Sequence, residues 1–471
     1  MRCIPRRAHR GRRVNKRQES SIAAWIEAGA LMRRKLSSMR TLLRAAALRR
    51  AARALLACAA ALPVATLPAA GHDASAQVVN AHRAPAGAVV AVPAPGLGDE
   101  RRFMHGIASA SAPGGGTWVF FSSSGLPPRG ANRDGSWPHD VYVGEWKPGQ
   151  KRLSGVHIFI SRPEAQEPVS VAQIPGGTIF MTFEDGWNAP REVSQRFGVY
   201  RQDLKPVMPY PNDVESGGHS GHVAAVGSRF VVFYSQDWVD GGGVDNLGTG
   251  GGVYVKVYNG VGKLERRVDV AAHVREWWPM LAGSPTRALL LWQKFIPGDT
   301  IARLRYAVLD PSTGEFVRAP DALDDLRVEY YTYATAWVPG ANRFLVEASR
   351  SDGRSAVMAI DETGRVTARL TCLPATVREA GIGVDGNTAF VPTRDGRLMA
   401  LELSGDSITL RGLIRAPFAW GNTGAIGIAH GQGLQHFISL SPTGLREAEF
   451  NLHDAVAPTS ADRCTSEDAR S

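Results

Sequence analysis

The sequence predicts an all-β fold, a β-propeller built of four-stranded blades. Three observations predict it. An apolar strand–turn–strand pattern recurs roughly every 40–50 residues. Asp-Gly and Asn-Gly pairs stand at the hairpin positions of that repeat, where positive φ angles are needed. No long amphipathic helix competes after the first 76 residues.

In one unit the strands are 344–349, 356–360 and 365–370, joined at Asp352-Gly353 and Thr363-Gly364. The next repeats the pattern over 388–392, 398–402 and 407–410, with turns at Asp395-Gly396 and Ser404-Gly405. An earlier one has 229–234, a long glycine-rich loop, 253–258, Asn259-Gly260 and 264–268. A fourth strand of smaller residues precedes each set, as at 222–226, 279–282 and 380–384. Small side chains suit the crowded strand nearest a propeller axis.

Seven units follow in order, over 103–160, 168–210, 219–270, 277–320, 329–371, 378–413 and 416–452, with six or eight as alternative counts. The last is one strand short. Residues 88–92 (Ala-Val-Val-Ala-Val) are the candidate to supply it, which would join the chain ends and leave no unpaired edge. A two-sheet β-sandwich is the competing fold, and the regular period argues against it. The expected organisation is a presequence over 1–76, a linker over 77–100, one propeller over 101–456 and a polar flexible tail over 457–471.

The formal net charge of +10 points to nucleic acid only until it is divided along the chain. Residues 1–76 hold 16 Lys/Arg against Glu19, Glu27 and Asp73, which leaves 38 basic and 41 acidic residues for the rest. The body is slightly acidic, so no nucleic-acid partner is expected. The basic front reads as an export signal: Arg40, Arg44, Arg49, Arg50 and Arg53, an uncharged run over 54–70, then Ala74-Ser75-Ala76 before Gln77. Pro63 and Pro68 interrupt the run, which is short for a membrane span. The mature protein is expected to be periplasmic or secreted, and monomeric. Cys3 and Cys58 go with the presequence, leaving Cys372 and Cys464 either as a disulfide or as two free thiols.

Propeller topology places the long loops on one face. These are 123–139, 184–198, 236–251 and 294–301, all in the first four units. The segments that lead into each unit reach the same face, and they are rich in reactive types: Met104-His105-Gly106, Gly218-His219-Ser220-Gly221-His222, Arg275-Glu276-Trp277-Trp278, Glu329-Tyr330-Tyr331-Thr332-Tyr333, Arg378-Glu379 and Trp420-Gly421-Asn422. Gathered round one axis, they would form a pocket with the usual signature of a binding site. His219 and His222 are candidates for a general base, for substrate contact or for structural hydrogen bonding; they lack a third metal ligand. Tyr331 and Tyr333 alternate on a strand and so are expected to share a face, with one pointing into the channel or either serving in packing. Trp137, His139 and Trp187 lie on overhanging loops, beside Glu184 and Asp185. His105, Trp278, Arg378, Glu379 and Asn422 complete the expected substrate-binding set. No cofactor is expected; the loop 241–248 could hold calcium but is far from the spaced EF-hand pattern.

The small inner strands, the His and Arg lead-in residues and Trp278-Pro279 resemble the sialidase-like (BNR-repeat) propellers and the propeller-fold polysaccharide lyases. The resemblance covers most of 100–450 as architecture. The Asp box of the former, Ser-x-Asp-x-Gly-x-Thr-Trp, is not intact; Ser351-Asp352-Gly353 and Thr393-Arg394-Asp395-Gly396 are fragments that read better as hairpin turns. The resemblance implies an exported protein acting on or binding extracellular carbohydrate. As a lyase, it would use His219 or His222 with Tyr331 or Tyr333 as base and acid, and Arg275 or Arg378 to neutralise a uronate carboxylate. As a glycosidase it would need two facing carboxylates from Glu276, Glu329 and Glu379. The alternative is a non-catalytic propeller that binds a glycan or an envelope protein through the same face.

Overall fold

The computed structural model describes residues 104–130, 139–167, 169–186, 193–236, 251–296, 301–350, 352–377, 381–418, 424–431, 433–459 and 462. Residues 88–92, the candidate closing strand, lie outside them, as does the signal region. The described residues are almost wholly strand, with two 3-10 turns and no α-helix, so none of their helices is long and apolar enough to cross a membrane.

Six antiparallel sheets follow one another along the chain. The first holds β1 (Met104–Ser111), β2 (Thr117–Ser123), β3 (Asp140–Trp146) and β4 (Ser154–Ile160). The second holds β5 (Ser170–Gln173), β6 (Ile179–Asp185), β7 (Ser194–Tyr200) and β8 (Pro206–Ser216). The third holds β9 (Gly218–Val226), β10 (Arg229–Gln236), β11 (Gly252–Asn259) and β12 (Leu264–Ala272). The fourth has seven strands: β13 (Glu276–Gly283), β14 (Ala288–Phe295), β15 (Ile301–Asp310), β16 (Glu315–Val338), β17 (Arg343–Arg350), β18 (Arg354–Ile360) and β19 (Val366–Pro374). The fifth holds β20 (Gly383–Asp385), β21 (Thr388–Pro392), β22 (Arg397–Ser404) and β23 (Ser407–Arg415); the sixth holds β24 (Ala425–Gly431), β25 (Leu434–Ser441) and β26 (Gly444–Asn451).

Sequence reasoning expected a break between 320 and 329, but β16 runs through it as a 24-residue strand. Its first part pairs with β15 and its last with β17, and Val328 pairs with both Ala302 and Arg350. One strand is thus the outer edge of one four-stranded set and the inner edge of the next. The turns agree with the tight-turn pairs in the sequence: Gly353, Gly364, Gly396 and Gly405 all have φ between 56° and 84°.

Each sheet is apolar on both faces because a neighbour covers both. Phe120, Val141, Phe183 and Tyr200 join the first sheet to the second. Phe180, Phe197, Phe230 and Tyr258 join the second to the third. Phe233 and Val255 meet Leu290 and Trp292 of the fourth. Leu345, Val357, Val391 and Met399 join the fourth to the fifth, and Phe390, Leu398, Phe437 and Phe450 join the fifth to the sixth. The circuit closes where Val119 and Trp146 of the first sheet meet Ile428 and Ile438 of the last. Trp146 also stacks on His436 at 5.2 Å, and Glu447 accepts from the Leu153 N–H at 2.9 Å while lying 3.0 Å from His436 Nε2. Sheets face to face around a closed circuit make a propeller.

The inner strands nearly touch through their backbones. A Cβ on Gly283 of β13 would lie 2.0 Å from the Ala225 carbonyl oxygen of β9. One on Gly381 would lie 2.3 Å from the Ala425 carbonyl oxygen, and the Gly381 N–H donates to that oxygen at 2.7 Å. Replacing Gly283 by Val should therefore force two sheets apart and cost about 3 kcal/mol or more. Gly130, with nothing within 4 Å of the added carbon, serves as the control: Gly130→Ala should stay within about 0.5 kcal/mol of the parent in urea unfolding.

Candidate functional site

Inner strands begin, and second strands end, on the same face, as the pairing of Met104 with Ser123 shows. Near that face several inner strands are kinked. Gly106, Ser220, Trp278 and Tyr331 have φ of 71°, 52°, 57° and 66°, and the strand register shifts at each of them. Three are not glycine, so each holds a left-handed conformation at a cost of the order of 1 kcal/mol or more.

A kink takes an N–H out of its own ladder, and a buried N–H needs an acceptor. The preceding set of strands supplies it. Glu184 Oε1 on β6 accepts from the Ser220 N–H of β9. Gln195 Oε1 on β7 accepts from the Gly221 N–H at 2.7 Å. Gln293 Oε1 on β14 accepts from the Tyr331 N–H of β16 at 3.3 Å. Ahead of β20, the Thr376 N–H donates to Ser349 Oγ on β17 at 3.0 Å.

These bonds fix several of the expected site residues. His219 is buried, with Nδ1 2.8 Å from Ser220 Oγ and Nε2 3.3 Å from Glu184 Oε2. His222 is half-buried, and its Nδ1 lies 3.0 Å from the Ser220 carbonyl oxygen. His105 and His139 converge on Glu167, ahead of β5, at 3.7 and 2.5 Å. Burial pushes Glu167 upward, but His139 and then His105 outweigh it and hold the carboxyl at about 2. Glu276 is buried and accepts from Trp292 Nε1 at 2.5 Å, with Lys294 and Arg305 within 4 Å. All three of these partners belong to the fourth sheet.

Tyr331 and Tyr333 pack against the same core cluster but differ in burial. The left-handed backbone at Tyr331 breaks the pleat, so Tyr331 stays half-buried while Tyr333 is fully enclosed. The Tyr333 hydroxyl donates to the Trp278 carbonyl, and burial, with the Tyr331 side chain beside it, pushes the phenol well above its ordinary range. The proton of that phenol is thus engaged within the fold. Trp278 is buried edge-on to Tyr331, ring centres 4.3 Å apart, and 6.4 Å from the His219 ring. The Arg275 guanidinium lies over Trp277 at 4.6 Å, and Trp277 contacts Tyr330 at 5.7 Å. Trp137, Trp187, Arg378, Glu379 and Asn422, and most of the long loops including 241–248, lie outside the described residues. No group of three or more His, Cys, Asp or Glu among the described residues could hold a metal ion.

Two residues of this region were missed as site residues. Arg394, in the turn between β21 and β22, is half-buried and clamps Glu329 with both terminal nitrogens, one of them at 3.3 Å; its Nε donates to the Thr376 carbonyl at 3.0 Å. Glu347 on β17 is completely buried, accepts from Thr376 Oγ1 at 2.5 Å, and keeps its other oxygen without a hydrogen bond. A lone charge in the apolar run 344–348 was the available signal for Glu347. Nothing in the Thr-Arg-Asp-Gly turn distinguished Arg394.

No family model and no curated protein matches the chain. Among solved structures, it is similar to the α-L-arabinanase of Penicillium chrysogenum complexed with arabinobiose, at 11% identity over 75% of this chain and 94% of that one, TM-score 0.43. It is similar to the GH93 α-L-arabinofuranosidase of Fusarium graminearum with arabinobiose, at 10% identity over 77% and 96%, TM-score 0.45. The NanB sialidase of Streptococcus pneumoniae follows at 10% identity over 75% and 69%, TM-score 0.42.

Burial raises Glu347 to about 8, against the opposing pull of Thr376 and Arg394. A carboxyl raised on folding leaves stability intact below its unfolded pKa and erodes it as pH climbs toward 8. The erosion is of the order of 4 kcal/mol by pH 9. Glu347→Gln keeps an acceptor for Thr376 and removes the titration. Urea unfolding at pH 5 and pH 9 should show the parent losing stability between the two and the variant losing far less. Equal losses in both would place the alkaline weakness elsewhere.

Proposed function

We propose that the chain is an exported seven-bladed propeller that binds extracellular carbohydrate on the face where its inner strands begin. The seven-stranded sheet counts as two blades sharing β16, and the last blade, with three strands, awaits a fourth from 88–92. The observation that carries the binding reading is the set of half-exposed groups on that face: His222, Arg275, Glu329, Tyr330, Tyr331 and Arg394. Aromatic faces take the C–H face of a sugar ring, and a planar guanidinium or a carboxylate takes paired hydroxyls. Behind them His219, Trp278, Glu184 and Tyr333 are buried and mutually bonded, which pre-organises the groups in front.

The same observation favours binding over catalysis. His219, Tyr333 and Glu276, three of the expected catalytic groups, are enclosed and committed to partners within the fold. The test is a panel of neutral and acidic polysaccharides offered to the purified mature protein, read by calorimetry and by the ultraviolet absorbance of unsaturated uronates. Binding without turnover is expected. Tyr331→Ala and Arg394→Ala should each weaken it about tenfold or more with the fold intact. Turnover would restore the enzyme reading, and no binding to any glycan would leave an envelope protein as the partner. Mass spectrometry of the exported form should find Gln77 as its first residue.

A further inference from the structure

The chain does not leave the propeller at the end of β26. After a 3-10 turn at Leu452–Asp454 it runs back onto the outer edge of the fifth sheet. There Val456 exchanges two backbone hydrogen bonds with Leu413 of β23, both 3.0 Å, in an antiparallel bridge. Gly412 admits the passing chain: a Cβ there would come within 2.7 Å of the Ala455 side chain. Farther on, Thr459 donates its N–H and hydroxyl to Asp462 Oδ2 at 2.9 and 2.7 Å, closing a turn. That turn aims Asp462 Oδ1 at Arg397 of β22, 2.7 Å away. Asp462 is 6% exposed, and Arg397 and Thr459 overcome its burial to hold it at about 2. The returning chain is thus anchored to one sheet at Val456 and again at Asp462.

Cys372, on the outer strand β19, is buried and disulfide-bonded. Strand β19 contacts β23, the strand on which the returning segment lies. The other cysteines of the chain are Cys3, Cys58 and Cys464. Cys464 lies outside the described residues but follows Asp462 by two residues, a reach of about 7 Å along the chain.

We propose that Cys372 pairs with Cys464, and that the bond makes the chain returning at Val456 a covalent strap on the outer side of the seam between β19 and β23. The inner side of that same seam carries Glu347, Ser349 and Thr376, a polar patch with one oxygen lacking a hydrogen bond. The strap acts on that seam from outside, by limiting how far the unfolded chain can spread and by holding β23 against β19.

The test is a tryptic map of the full-length protein without reduction, compared with the same digest after dithiothreitol. The expected product is one linked peptide pair containing Cys372 and Cys464. Linkage of Cys372 to Cys3 or Cys58, or full alkylation of Cys464 in the native unreduced protein, would overturn the pairing. Cys464→Ser, which leaves the propeller body untouched, and the reduced parent should melt at the same temperature, roughly 5 °C below the oxidised parent. Amide exchange should rise at Thr376 and at Leu345–Ser349 in both. Unchanged exchange at those amides would show that the bond holds no seam, even with the pairing correct.

Discussion

How closely the inner strands approach the axis governs the rest of this molecule. Where Gly283 faces Ala225 and Gly381 faces Ala425, there is no room for even a methyl group. The inner strands are therefore held by backbone contact, and apolar burial is displaced outward to the second and third strands. Phe120, Phe180, Phe230, Trp292, Phe344 and Phe390 all sit on second strands and are all fully buried. The kinks follow from the same crowding. A strand that must enter near the axis turns sharply, and a left-handed residue with a shifted register is how it does so.

The kinks also decide what the site can do. At Ser220 and at Tyr331 the N–H must be satisfied, and a carboxylate or an amide from the preceding strands satisfies it. Residues with the chemical equipment of a catalytic centre, Glu184 and His219 above all, are thereby drawn into holding the ring together. The ring divides accordingly. Around the first sheet the junctions hold buried His–Glu pairs: His436 with Glu447, His105 and His139 with Glu167, and then His219 with Glu184. Beyond it, in the fourth sheet, aromatic rings take over, with Trp277, Trp278, Tyr330 and Tyr331 in mutual contact.

The repeat, the hairpin turns and the small inner strands were legible in the sequence because each depends on residues close together in the chain. Gly353, Gly364, Gly396 and Gly405 take the positive φ that their dipeptides announced. Among the described residues the last sheet has three strands, in line with the shortness of the final unit. The partners of the histidines were not, because Glu184 and His219 are joined only once two sheets pack. The unequal burial of Tyr331 and Tyr333 was not legible either: alternation along a strand assumes an unbroken pleat, and one left-handed residue at Tyr331 removes that assumption. Glu347 and Arg394 were passed over because single charges in a strand and a turn carry no pattern of their own.

Strand β16 has a consequence of a different order. Between β8 and β9 a residue outside the ladder, Gly217, separates two neighbouring sets. Within β16 the link is itself a paired residue, since Val328 pairs on both sides at once, with the register shifting on either flank. A residue that broke the pairing there, such as proline, would loosen two sets together. The two sets that meet at this crossing are therefore inherited and altered as a pair.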